Sequence, residues 1–177
     1  MAIQIGAKPD SGFDDPLGML KDCHRRIEHF LNIICVVVER AHARALSEEE
    51  AAAIESALHY FRVGGKRHTA DEEESLFPRM RENAALANLR ELGELVSEHR
   101  LANELHNAVS LFYAAWIRNG RLNAENEQQL RTATQQLKRL YEQHIEMEEK
   151  VVFPRAAEAL DGKTIAVIGE EFRARRA

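Results

Sequence analysis

The sequence predicts an all-α protein, an antiparallel up-down four-helix bundle with a short extra C-terminal helix. Apolar residues recur at helical spacing along most of the chain, and strand-like alternation is almost absent. Capping signals and short polar loops divide the chain into four long segments, which is typical of a bundle. The two halves of the chain also carry the same polar pattern, which suggests pseudo-twofold symmetry.

The first helix is predicted from about Pro16 to Arg44. Asp15 is a capping residue, and the proline after it needs no backbone donor in the first turn. One apolar stripe follows the helix: Leu17, Leu20, Ile27, Leu31, Ile34 and Val38.

The second helix is predicted to begin at the capping box of residues 47–50, Ser-Glu-Glu-Glu. Gly64 and Gly65 indicate a kink or short break, after which the helical pattern resumes from about 67 to 83. Pro78 lies inside that stretch, so we expect the helix to bend or end nearby.

The third helix is predicted over about 85–118, because Gly120 after it can adopt the left-handed conformation that closes a helix. Asn123 can cap a fourth helix over about 124–150, which Pro154 then disturbs.

A single domain is expected, because 177 residues are too few for two ordinary domains. We predict an N-terminal extension over 1–14, the bundle over 15–160, and a C-terminal helical tail over 161–177. Thr164 is predicted to start the short helix of that tail.

Composition narrows the possible partners. The net charge is −5, from 24 basic and 29 acidic residues, so no strong field attracts nucleic acid. The longest apolar run, about 30–38, is shorter than the roughly 20 residues that span a membrane, and the first residues lack a signal-peptide pattern. Cys23 and Cys35 would lie about 18 Å apart on one helix, too far for a disulfide. We therefore expect a cytoplasmic protein without a nucleic-acid or membrane partner; its protein partners are left open.

An internal repeat is the most informative feature of the sequence. Six residues recur with the same spacing 76 residues later: His68, Glu72, Glu73, Phe77, Pro78 and Arg79 correspond to His144, Glu148, Glu149, Phe153, Pro154 and Arg155. The repeat extends upstream, because His24 corresponds to His99, 75 residues on.

The repeated spacing brings an imidazole and a carboxylate together. Residues four apart on a helix differ by about 40° of rotation and 6 Å of rise, so one metal ion could be reached by both. With one histidine from each of the other two helices, four imidazoles and two carboxylates could hold two divalent ions. The alternative is that these are solvated or internally satisfied polar residues, but burying so many unpaired polar groups would be costly.

The full set of residues resembles the hemerythrin-like, or HHE cation-binding, domain family over about 15–160. The resemblance is carried by His24, by His-x-x-x-Glu-Glu-x-x-x-Phe-Pro at 68–78 and 144–154, and by Glu98-His99. Ferritin-like bundles place glutamate before histidine at a spacing of three, the reverse order. The resemblance implies a non-haem centre of two iron ions, with His24, His68, His99 and His144 as terminal ligands and Glu72 and Glu148 as bridges.

The sequence departs from the family at Asn103, where oxygen-carrying members have a further histidine. Asparagine is a poor iron ligand, so reversible oxygen carriage is in doubt and one coordination position needs water or another side chain. Glu28 is a candidate for that position, whereas His106 fits an outer or core position better. Tyr141 could donate a hydrogen bond near the site.

The resemblance therefore implies a metal-binding protein whose di-iron centre binds or responds to dioxygen, nitric oxide or peroxide. Two alternatives stay open: an iron-handling or metal-responsive regulatory module without turnover, and a structural zinc site. Manganese is also compatible with the ligand types. Whether the protein is an enzyme is left open, because no acid, base or nucleophile outside the metal set stands out.

Overall fold

The structure is a computed structural model that describes residues 10–177. Of the described residues, 83% are helical and none lies in a strand, which confirms the all-α prediction. Most of the predicted N-terminal extension, residues 1–9, lies outside the described residues. Five helical segments follow one another and are labelled α1 to α5 below.

Segment α1 is the helix Pro16–Ala41. The Asp15 carboxylate accepts a hydrogen bond from the Gly18 N–H, as expected of the cap. The helix ends three residues before the predicted Arg44, because His42 and Ala43 adopt positive φ angles of 43° and 57°, which no α-helix continues.

Segment α2 spans 48–82 without interruption, and its capping box is present between Ser47 and Glu50. It consists of α-helices Glu48–Tyr60, Lys66–Asp71 and Phe77–Glu82, joined by π-helical turns Phe61–Gly65 and Glu72–Leu76. Of the predicted kink or short break at Gly64 and Gly65, the break does not occur: the irregularity there is a π turn, through which the helix continues. Pro78 stands in the first turn of its α-helix, where no backbone donor is required, four residues before the segment ends.

Segment α3 is the helix Glu91–Asn119, and Gly120 closes it at φ 69° as predicted. It begins six residues later than predicted, because residues 83–90 form turns through hydrogen bonds such as Leu86 N to Asn83 O. Segment α4 spans 124–159: helix Ala124–Met147, π turn Glu148–Val152 and helix Phe153–Ala159. Pro154 does not end this segment, because it stands in the first turn of the helix Phe153–Ala159, where no backbone donor is required.

Segment α5 is the helix Gly162–Ala174, capped by the Asp161 side chain. It begins two residues before the predicted Thr164 and packs on α1 and on the second π turn of α2. Gly169 lets it approach closely, since a Cβ there would lie 1.9 Å from the Phe13 carbonyl oxygen.

Two apolar clusters are separated along the long segments. Segment α1 packs on α2 and α4, and α3 packs on α4 and α2. One cluster is built around Tyr113 and Trp116 near the end of α3, and the other around Phe77, Phe153 and Phe172. Buried polar residues of α1, α2, α3 and α4 lie between them in sequence. No described helix combines the length and apolar character needed to cross a membrane.

Candidate metal centre

The six predicted ligands lie together in the structure. Their side chains come from all four long segments, and each residue is at most 9% exposed. They form two groups of four: His24, His68, Glu72 and Glu148 in the first group, and Glu72, His99, His144 and Glu148 in the second group. Within each group, one nitrogen or oxygen atom from every residue lies within 4.8 Å of the others, which is close enough for one metal ion to contact all four.

Glu72 and Glu148 belong to both groups because their two oxygens face different histidines. The Oε1 atom of Glu72 is 3.4 Å from His68 Nε2, and its Oε2 atom is 3.3 Å from His99 Nε2. Glu148 repeats this arrangement, with Oε1 3.2 Å from His144 Nε2 and Oε2 3.0 Å from His24 Nε2. Each carboxylate therefore spans the two groups.

Both spanning glutamates occupy the first position of a π turn, Glu72–Leu76 and Glu148–Val152. A π turn holds one more residue than an α turn and often occurs at a functional site. These π turns were not predicted from the sequence. The signal for them was the proline six residues after each glutamate, inside a segment that otherwise continues as a helix.

Three further carboxylates hold the histidines in orientation. Glu149 is 2.8 Å from His24 Nδ1, Glu73 is 2.8 Å from His99 Nδ1, and Glu98 is 2.8 Å from His144 Nδ1. When Nδ1–H donates to a carboxylate, the Nε2 lone pair is directed toward the centre, the usual support of a metal-binding histidine. The supporting role of Glu98 was missed, although it directly precedes His99.

His68 departs from this pattern. Neither of its ring nitrogens has a hydrogen-bond partner among the described residues. In the internal repeat, Glu98 before His99 corresponds to Cys23 before His24, so the support given to His144 has no carboxylate counterpart for His68. The second group therefore has two carboxylate-supported histidines, and the first group has one.

Buried atoms without hydrogen-bond partners test whether a metal fits here. Within the described chain they include His24 Nε2, both His68 nitrogens, and both carboxylate oxygens of Glu72 and of Glu148. Leaving such polar groups unsatisfied is costly. Nitrogen and carboxylate lone pairs that converge in a buried space are the donor set for a divalent transition metal. These residues therefore fit the metal pair that the resemblance implies.

The charges of the centre lead to the same conclusion. Burial, together with the nearby Glu148 carboxylate, raises the pKa of Glu72 well above its usual range. Burial opposes ionisation of Glu148 as well, but His144 and His24 bring its pKa well below its usual range. Burial lowers the pKa of His68 well below its usual value. The protein groups alone thus favour one charged carboxylate, whereas bound cations would favour two.

Two phenylalanines form walls of the centre. Phe153 stacks on His24 with ring centroids 5.6 Å apart, and Phe77 stacks on His99 at 6.3 Å. Both phenylalanines are at most 1% exposed, so they exclude water from these faces of the imidazoles.

The other candidates lie outside both groups. Asn103 and Glu28 are exposed, so the structure does not bring Glu28 to the centre as a replacement ligand. His106 is partly buried and its Nε2 lies 3.0 Å from the Tyr141 hydroxyl. The remaining histidines, His29, His42 and His59, are exposed.

An all-helical fold and two buried histidine-glutamate groups define a helical cation-binding protein. The chain belongs to the hemerythrin family: the model of the hemerythrin HHE cation binding domain matches residues 15–156. This confirms the resemblance found in the sequence. A comparison with curated proteins gave no significant match.

Proposed function

We propose that this protein holds a pair of iron ions between its long helices and binds or responds to a small molecule, either dioxygen, nitric oxide or peroxide. The observation that carries the proposal is the placement of Glu72 and Glu148, whose oxygens each face a histidine of both groups. Two adjacent ions that share carboxylates are the arrangement such a placement suits best.

The protein residues would supply position and seclusion. His24 and His68 would hold one ion, and His99 and His144 the other, with the carboxylates of Glu72 and Glu148 between them. Glu73, Glu98 and Glu149 keep three of the imidazoles oriented. The iron pair, when bound, supplies the redox chemistry and the open positions for a small ligand.

We also propose that the four long segments run antiparallel in up-down order. The C-terminal ends of α1 and α3 lie side by side: Trp116 Nε1, near the end of α3, donates to the carbonyl of Arg44, which follows α1. The ends of α2 and α4 meet at Asn83 Nδ2 and the Ala159 carbonyl. His24, early in α1, lies beside Glu148, late in α4, which supports opposite directions for these two segments.

The same proposal includes a cytoplasmic location. It also includes a small molecule as the ligand, without a nucleic-acid or membrane partner. The net charge of −5 supports it, since no excess of basic residues is present to attract phosphates.

A metal-responsive regulatory module is the second candidate, and one contact favours it. Asp71 directly precedes Glu72 and pairs with Arg175 and Arg176 of the C-terminal tail. Occupancy of the centre could therefore influence how the tail is held, and a partner could detect the change. Metal-dependent partner binding without turnover would favour this candidate, whereas rapid reaction of the reduced protein with dioxygen or peroxide would favour the first.

The deciding experiment is elemental analysis with an absorption spectrum of aerobically purified protein. The test variant carries His68→Ala and His144→Ala together, and the control carries His29→Ala and His59→Ala, both at exposed positions. We expect about two irons per chain and charge-transfer absorption in the wild type and control, and loss of both in the test variant. Stoichiometric zinc would instead indicate a structural site, and an unchanged test variant would contradict the assigned ligands.

A further inference from the structure

A small cavity adjoins the second group. Its volume is about 170 Å³, and residues of α2, α3 and α4 line it, including His68, His99 and His144. Asn103 and Lys66 also line it and are exposed, so they form its mouth. Since about 10–15 Å³ of such space is enough for one water molecule, the cavity has room for several waters or for one ligand of a few atoms.

The wall of this cavity suits an anion or a polar ligand. The described residues that line it include no aspartate or glutamate, and the cationic residue Lys66 is one of the exposed residues at its mouth. Glu72 and Glu148, whose oxygens face the histidines of both groups, are not among the residues that line the cavity. An approaching anion therefore meets a positive charge and no direct carboxylate repulsion.

His106 and Tyr141 form a neutral polar pair on the same wall. Tyr141 Oη is 3.0 Å from His106 Nε2, and the His106 ring lies 4.1 Å from the Phe61 ring, centroid to centroid. Burial lowers the pKa of His106 to about 4, and a phenol keeps its proton at neutral pH even when it is exposed to water. Both groups are thus uncharged at neutral pH. With its proton on Nε2, His106 donates to the tyrosine oxygen and leaves the phenolic proton free for a ligand.

We propose that this cavity is a binding site for a small anionic or peroxide ligand beside the second group, opened by asparagine at position 103 and completed by the Tyr141 hydroxyl. The proposal rests on the proposed function, because the ligand would approach the metal held by His99 and His144. It locates the small-molecule site on the side of the centre where α2, α3 and α4 line the cavity. A longer side chain at position 103 would enter this space from the mouth.

The test is titration of the iron-loaded full chain with azide, a small anion that coordinates metals, followed by calorimetry and absorption. Asn103→His places an imidazole at the mouth and should weaken azide binding roughly tenfold or more, because it occupies the space and competes for the metal. Asn107→His is the matched control: it lies one turn further on the same helix, is exposed and does not line the cavity. Its azide affinity should match the wild type.

Tyr141→Phe is the second variant and keeps the ring that packs against His144. Loss of one hydrogen bond should weaken azide binding roughly fivefold to tenfold and shift the azide charge-transfer band, with metal content unchanged. A purely structural tyrosine would change stability and leave the band in place.

Metal content separates the two possible failures. A wild-type chain without metal overturns the proposed function and, with it, this inference. Metal at full occupancy without azide binding overturns the inference alone. The same holds if Asn103→His and Tyr141→Phe both bind azide as tightly as the wild type.

Discussion

At the scale of single residues, the outer carboxylates decide how well the histidines are presented. Each contact of Glu73, Glu98 and Glu149 with an Nδ1 atom measures 2.8 Å. These glutamates are 32–38% exposed at their side chains, whereas the imidazoles are buried. The supporting carboxylates thus link the buried imidazoles to the solvent.

Replacing Glu98 with alanine is expected to lower metal affinity 10-fold to 100-fold, roughly the range for loss of such support. His144 would keep its position on α4 but lose the partner that orients its ring. Competition with a chromogenic chelator measures the affinity. Glu94→Ala, one turn earlier on α3 and exposed, is the matched control, and equal affinities for the two variants would contradict the role of Glu98.

His106 is expected to make stability depend on pH. Its pKa is about 4 in the folded chain, against about 6.5 for an exposed histidine. Between these values the unfolded chain binds more protons, so stability falls as pH drops from about 6.5 to 4, by at most about 3 kcal/mol. His106→Phe removes this dependence.

Urea unfolding at pH 7 and pH 4.5, with excess chelator present, measures the effect. The free energy of unfolding should change less between the two pH values for His106→Phe than for the wild type. His59→Gln alters an exposed histidine and should leave the pH dependence as it is. A His106→Phe variant with the full wild-type dependence would show that other groups cause it.

At the scale of elements, the C-terminal helix α5 is held to α2 by a buried ion cluster. Asp71 is fully buried and pairs with Arg175 at 2.9 Å and with Arg176 at 2.5 Å. Phe172 and Ile168 of the same helix are also fully buried. The tail is therefore part of the packed protein, joined to the residue next to Glu72.

Asp71→Asn is expected to destabilise the protein by about 3 kcal/mol, because it leaves two arginines without their buried partner. Glu74→Gln is the control: Glu74 also contacts Arg175, at 3.3 Å, but its side chain is 68% exposed, so the cost should stay below about 1 kcal/mol. Urea unfolding gives both values, and hydrogen exchange should show faster exchange in α5 for Asp71→Asn alone. Equal losses would show that burial of Asp71 does not set the strength of this contact.

At the scale of the whole molecule, a polar centre lies between two apolar clusters. Its buried carboxyl groups affect the free energy of unfolding in opposite directions without metal and with metal bound. Glu72 and Glu148 are fully buried, and unpaired buried carboxylates destabilise a fold. A metal that binds only the folded chain would offset this destabilisation. At a free metal concentration 100 times the dissociation constant, binding raises the free energy of unfolding by about 2.7 kcal/mol.

Glu72→Gln should therefore affect stability differently with and without metal. In chelator, the variant should be at least as stable as the wild type, because it removes a buried ionisable group. With ferrous iron under anaerobic conditions, the wild type should gain several degrees in melting temperature and the variant little or none. Calorimetric melting measures both, and an equal gain in the two proteins would contradict a metal held by Glu72.

Much of the fold was predictable because its signals are local. The caps at Asp15, Ser47 and Asn123 and the glycine closure at Gly120 appear as predicted. Where prediction failed, at the start of α3 and near Pro154, the decisive contacts were turns and π turns. Their hydrogen bonds depend on packing, and apolar periodicity does not reveal them.

The sequence by itself determined the helical segments, the repeat, and the six polar residues that converge, since helical spacing and a repeated pattern are properties of the chain alone. Their role as metal ligands stays a prediction. Only the tertiary structure decided which carboxylate orients which histidine: Glu73 reaches His99 across 26 residues, and Glu149 reaches His24 across 125. It also placed the cavity beside His99 and His144. Such pairings depend on how separate helices pack against one another, and helical periodicity carries no information about the partners that packing selects.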